Sequence, residues 1–99
     1  MPDGSWALAN FAGCIDEWIA RDEPNDDLRL LVAAWIFTRV DDPYLGVRRE
    51  RPEKFDNLWY GTVPMSQHGN DLAVMCAYWV YERDHLVRCE SIATLGLPH

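Results

Sequence analysis

Two strand-like runs separated by a very short turn constrain this chain most tightly. Leu72 to Glu82 and Leu86 to Leu95 are rich in aromatic and β-branched residues, which suit a pleated, half-buried surface. Arg83-Asp84 lies between them, flanked by polar Glu82 and His85. A two-residue turn at 83–84 and a four-residue loop at 82–85 predict the same antiparallel register. Tyr81 then faces Leu86, Trp79 faces Arg88, Ala77 faces Glu90 and Met75 faces Ile92. Side chains alternate along a strand, so the other face is predicted to carry Val80, Tyr78, Cys76, Val74 and Leu72. Opposite them come Val87, Cys89, Ser91, Ala93 and Leu95. One face is nearly all apolar. The other mixes aromatics with an arginine and a glutamate, which is the pattern of a binding platform.

The rest of the chain supplies what covers the apolar face. Leu8, Phe11, Ala12, Ile15, Trp18 and Ile19 recur at helical spacing, predicting a helix over about 5–20 with Ser5 as its N-cap. Arg21-Asp22-Glu23-Pro24 breaks it. A second helix is expected over about 25–41, with Asp26 and Asp27 complementing the dipole of its first turn. Leu28, Leu31, Val32, Trp35 and Ile36 form its apolar stripe, and Asp42-Pro43 stops it. Residues 43–57 read as a charged loop with an optional short strand within 44–51. Leu58-Trp59-Tyr60-Gly61-Thr62-Val63 is a strand ended by Pro64, and Gly61 within it marks a bulge or a close approach. The expected fold is α+β. An N-terminal αα hairpin packs on one face of a three- to four-stranded antiparallel sheet (strands about 58–63, 72–82 and 86–95). Trp18 and Trp35 are assigned to the core, Trp6 and Trp59 to core or interface.

Ninety-nine residues suffice for one small core, so residues 1–99 read as one domain. The net charge of −7 argues against a surface that covers phosphates broadly. Its distribution is uneven. Residues 1–42 hold nine acids against three arginines, whereas residues 43–99 hold seven acids against six bases. A basic cluster, Arg48-Arg49-Glu50-Arg51-Pro52-Glu53-Lys54, stands in the second part. The start of the chain lacks the basic flank of a secretory leader, and Leu30–Phe37, its longest apolar run, is too short to cross a bilayer. Three cysteines without CxxC spacing read as reduced, buried thiols of a cytoplasmic protein. His68, His85 and His99 are scattered among loops and the terminus, so no metal site and no cofactor are expected.

Asp42-Pro43-Tyr44-Leu45-Gly46 after the second helix, the strand Leu58 to Val63, and the hairpin of Ala73–Tyr81 and Leu86–Thr94 together resemble the RelE/ParE superfamily of small toxins from bacterial toxin–antitoxin modules. The likeness lies in the order of elements over nearly the whole chain. It implies two helices before an antiparallel sheet whose open face and nearby loops form the active surface. It also implies endoribonuclease chemistry or another translation or replication target, and an antitoxin-like protein partner. Ribosome-dependent members carry basic strands; here Val74-Met75-Cys76 is uncharged. A second function therefore stays open, a non-catalytic interaction or regulatory domain of the same fold, working as a homodimer or with another protein.

Candidate residues follow. RNA cleavage needs a group to take the 2′-hydroxyl proton, one to protonate the leaving oxygen and a charge to offset the developing phosphate anion. Arg88 suits the last role, with Glu90 and Tyr81 for proton transfer. Arg48, Arg49 and Arg51 suit phosphate or carboxylate binding, because a guanidinium offers a planar fork of donors. Trp79 is a stacking surface opposite Arg88. The competing readings are a cross-strand stabilising pair for Trp79–Arg88 and a solvated loop for the arginine cluster. The acids Asp16, Glu17, Asp22, Glu23, Asp26 and Asp27 read as a solvated helix face or as an attractor for a basic partner.

Overall fold

The computed structural model describes residues 5–49, 54 and 56–96. In chain order the elements are β1 (Ala7–Ala9), α1 (Phe11–Asp22), α2 (Asp26–Thr38), β2 (Arg48–Arg49), β3 (Leu58–Thr62), β4 (Leu72–Tyr81) and β5 (Leu86–Gly96). The strands form one sheet in the order β1-β5-β4-β3-β2. All pairings are antiparallel except β1 with β5, which is parallel. Both helices bury residues against one face: Phe11, Cys14, Trp18, Leu28, Val32 and Ile36 share a core with Val74, Cys76, Tyr78, Val80, Val87, Cys89 and Ile92. The architecture is therefore α+β, but with five strands in a mixed sheet rather than three or four antiparallel ones.

The start of the chain corrects the expected first helix. Residues 7–9 extend along β5, with Ala7 N–H donating to His85 O at 2.9 Å and Trp6 N–H to Val40 O at 2.9 Å. Three residues are too few to display alternation, and Leu8 happens to fall at helical spacing from Phe11 and Ala12. The helix begins after Asn10, not after Ser5. Asn10 takes a left-handed conformation (φ 63°), which asparagine tolerates better than most residues. Its amide also donates to Cys89 O at 3.1 Å, tying the helix start to β5. Pro24 is buried after α1. Asn25 then caps α2, its side chain accepting from Leu28 N–H at 2.8 Å. α2 ends at Thr38, short of 41, because the chain tightens there: Val40 N–H reaches Phe37 O and Asp41 N–H reaches Thr38 O.

The β4–β5 register starts as predicted and then slips. Tyr81 pairs Leu86, Trp79 pairs Arg88 and Tyr78 pairs Cys89, but Ala77 pairs Ser91. Glu90 is the extra residue of a β-bulge. From there on Cys76 faces Ile92, Met75 faces Ala93, Val74 faces Thr94 and Leu72 faces Gly96, in place of the expected partners. The physical gain is plain. Without the bulge Ile92 would point to the open side; with it Ile92 is 2% exposed in the core. Thr94 is likewise brought to Trp18, whose indole N–H donates to its hydroxyl at 2.9 Å. Trp18 is fully buried, and Trp35 is half-buried against the same cluster.

Gly61 marks a close approach. A Cβ there would sit 2.8 Å from Val47 Cγ1, so the strand passes directly under the segment leading into β2. Cys14, Cys76 and Cys89 are free, buried thiols. Burial, with a hydrogen bond to Cys89, pushes Cys14 up to about 12. A hydrogen bond with Cys76, with burial, raises Cys89 as well, so neither is a ready nucleophile.

Candidate open sheet face

The face away from the helices is organised in rows across the strands. One row runs Leu58, Trp79, Arg88 and Ala9; the next runs Arg48, Tyr60, Ala77 and Ser91. Tyr81 pairs Leu86 one row beyond Trp79, so it is diagonal to Arg88. Directly opposed side chains lie about 5 Å apart at Cβ and diagonal ones about 7–8 Å. Trp79, Tyr60 and Tyr81 are partly exposed, and Arg48, Arg88 and Glu90 are exposed. Trp79 Nε1 donates to Glu90 Oε1 at 3.0 Å, which holds the bulge carboxylate beside the indole. Trp79, Tyr81, Arg88 and Glu90 are thus neighbours.

The arginine cluster is divided. Arg48 and Arg49 are consecutive strand residues, so they point to opposite faces. Arg48 joins the open face beside Tyr60, three strands from Arg88, or about 14 Å at about 4.8 Å per strand. It also borders a cavity of about 510 Å³ with Tyr60, Thr62, Met75 and Leu95. Arg49 instead enters a cavity of about 620 Å³ at the hairpin end, with Tyr44, Trp59, Tyr81, Glu82 and Arg83. Arg51 lies outside the described residues.

Two groups near this end were not legible in the sequence. Tyr44 donates to Glu82 at 2.6 Å and packs edge-on to Trp59 at 4.9 Å between ring centroids. Burial, then Glu82, raises the Tyr44 hydroxyl above the usual tyrosine range. Arg39 is 2% exposed, where a charged residue is unusual. Its guanidinium donates to Leu45 O at 2.7 Å and to Tyr78 Oη at 3.2 Å, and it lies 4.3 Å from the Trp35 ring centroid. The Tyr78 hydroxyl in turn donates to Pro43 O, and burial pushes it up to about 12 despite the nearby guanidinium. This network fastens the segment after α2, and with it the start of β2, to the centre of the sheet. No run or spacing announces it; only the buried position of Tyr78 does.

Among the described residues no group of three or more histidine, cysteine, aspartate or glutamate side chains is placed to hold a metal ion. No helix among them is long and apolar enough to cross a membrane. No protein-family model matches the chain, and no curated protein matches it in sequence. A solved structure does match: an arginine-to-alanine double mutant of the E. coli toxin RelE in the free state. The TM-score is 0.61 at 12% identity, covering 89% of this chain and 81% of that one. At that identity the likeness is one of architecture, and the chain has a RelE-like fold.

Proposed function

We propose that this chain is a RelE-like toxin-module protein that acts on RNA through the open sheet face and is held in check by a partner protein. The observation that supports it is the shared face: Trp79, Tyr81, Arg88 and Glu90 are neighbours on the side of the sheet the helices leave uncovered. Unstacked bases favour aromatic platforms, and Trp79 and Tyr60 offer two. In the cleavage step Glu90 takes the proton from the ribose 2′-hydroxyl, whose oxygen attacks phosphorus. The bond to the 5′-oxygen breaks, and that oxygen receives its proton from Tyr81. Arg88 offsets the charge that develops on the phosphate. Arg48, at the far edge of the face, binds a neighbouring phosphate. The aqueous interior of the cell is the compartment this reading requires.

The test is expression in bacteria coupled to mapping of RNA ends. Growth arrest with new cleavage sites, both lost in Arg88→Ala, is the expected result. A harmless protein that leaves RNA intact would instead favour the second reading, a non-catalytic interaction domain. What supports that second reading is the carboxylate of Glu90 standing within the face of a chain whose net charge is −7.

A further inference from the structure

α2 is apolar on both sides. Leu28, Val32 and Ile36 face the core, yet Leu30 and Phe37, on the other side, are 70% and 71% exposed. They are two helical turns apart, about 10 Å along the axis, with Ala33 and Ala34 between them. A helix apolar all round is the signature of burial on both sides, not of a solvated surface.

The stripe has an acidic frame. Asp26 and Asp27 stand at its N-terminal end, and Asp41 and Asp42 follow its C-terminal end, all exposed. The helix and its C-cap hold two cations. Arg39 is buried, and Arg29 is drawn back to the preceding turn, its Nε donating to Pro24 O at 3.0 Å. A second copy of the chain is a poor occupant. An antiparallel pair of α2 helices would set Asp26 and Asp27 against Asp41 and Asp42, and a parallel pair would set like ends together. A phosphate-bearing polymer meets the same repulsion.

We infer that the outer face of α2 docks a basic amphipathic helix of a partner protein, with apolar side chains about one and two turns apart over Leu30 and Phe37 and lysines or arginines at both ends against the aspartates. The site gives the partner in the reading above a place on the molecule, and it lies on the side of the sheet opposite Trp79 and Arg88. It rests on that reading only in calling the occupant the restraining partner, and the two fail separately.

The test titrates the full chain into a labelled synthetic helical peptide carrying leucines along one stripe and lysines at both ends, with a twin peptide carrying glutamates in their place. Binding of the lysine peptide, weakened by added salt, is expected. Leu30→Ser and Phe37→Ser should each weaken it about tenfold or more while thermal unfolding stays unchanged, because both side chains are already exposed. Asp26→Asn with Asp41→Asn should flatten the salt dependence. The idea is overturned if neither peptide binds, if both bind equally, or if sedimentation shows a dimer that Phe37→Ser dissociates. None of these results bears on RNA cleavage, which Arg88→Ala reports.

Discussion

The two faces of the sheet are made from alternate residues of the same strands, yet they are finished in opposite ways. On the helix side the polar atoms singled out above have found partners: the Trp18 indole has Thr94, the Tyr78 hydroxyl has Pro43 and Arg39, and Arg39 has Leu45. On the open side the polar groups are exposed or partly exposed, and the Trp79 indole holds the Glu90 carboxylate within the face. The contrast separates residues that hold the fold from residues that face outward. It also gives the bulge at Glu90 two jobs, since the residue that turns Ile92 into the core is the one that presents a carboxylate outside.

The largest expected effects break the covered face. Trp18→Ala removes a fully buried indole and its bond to Thr94, and should cost about 3–5 kcal/mol in urea unfolding. Arg39→Met should cost about 1–3 kcal/mol by leaving Leu45 O without its donor and loosening the segment before β2. A loss no greater than that of a surface substitution would show the network to be dispensable. On the open face the order of effects should invert. Trp79→Phe should change stability by about 0.5–1.5 kcal/mol, the worth of one hydrogen bond. Any RNA binding or cleavage should fall much further than that, and equal losses in both assays would erase the division between the faces.

The smallest effect sharpens how α1 is tied to β5. The Asp22 carboxylate accepts from Thr94 N–H at 2.9 Å, and this bond, aided by Arg21, lowers its pKa from the ordinary value. A carboxyl depressed in the folded state adds stability that is fully present above its unfolded value and is lost as pH falls through the folded one. Asp22→Asn should therefore lower stability at neutral pH, with the difference from the parent chain shrinking to nothing as pH falls through the folded value, which flattens the acid limb. A limb identical to that of the parent chain would remove Asp22 from the account.

How much of this was legible follows from the range of the interactions. The pairings Tyr81–Leu86 and Trp79–Arg88 follow from the turn, because a short connection leaves the chain little choice. The slip at Glu90 lies beyond the reach of that argument. Counting outward from the turn assumes an even ladder, and the ladder yields here so that Ile92 and Thr94 can meet the helices. β1 was missed because a parallel edge strand of three residues takes its register from a partner far along the chain. The pair Arg48-Arg49 reads as one basic patch in the sequence. Strand formation divides it between two faces, a split that depends on β2 finding Tyr60 and Trp59.

By itself, then, the sequence determined the class of fold, the two helices and the identity of the covered face, since these rest on local periodicity and one tight turn. Only the tertiary structure decided that the sheet is mixed and five-stranded, that Arg39 is buried under the loop after α2, and that the outer stripe of α2 is left exposed. Each of these depends on what lies opposite a residue rather than beside it. The hairpin could be reasoned from its turn outward, but which surfaces the fold leaves open was settled where distant segments met.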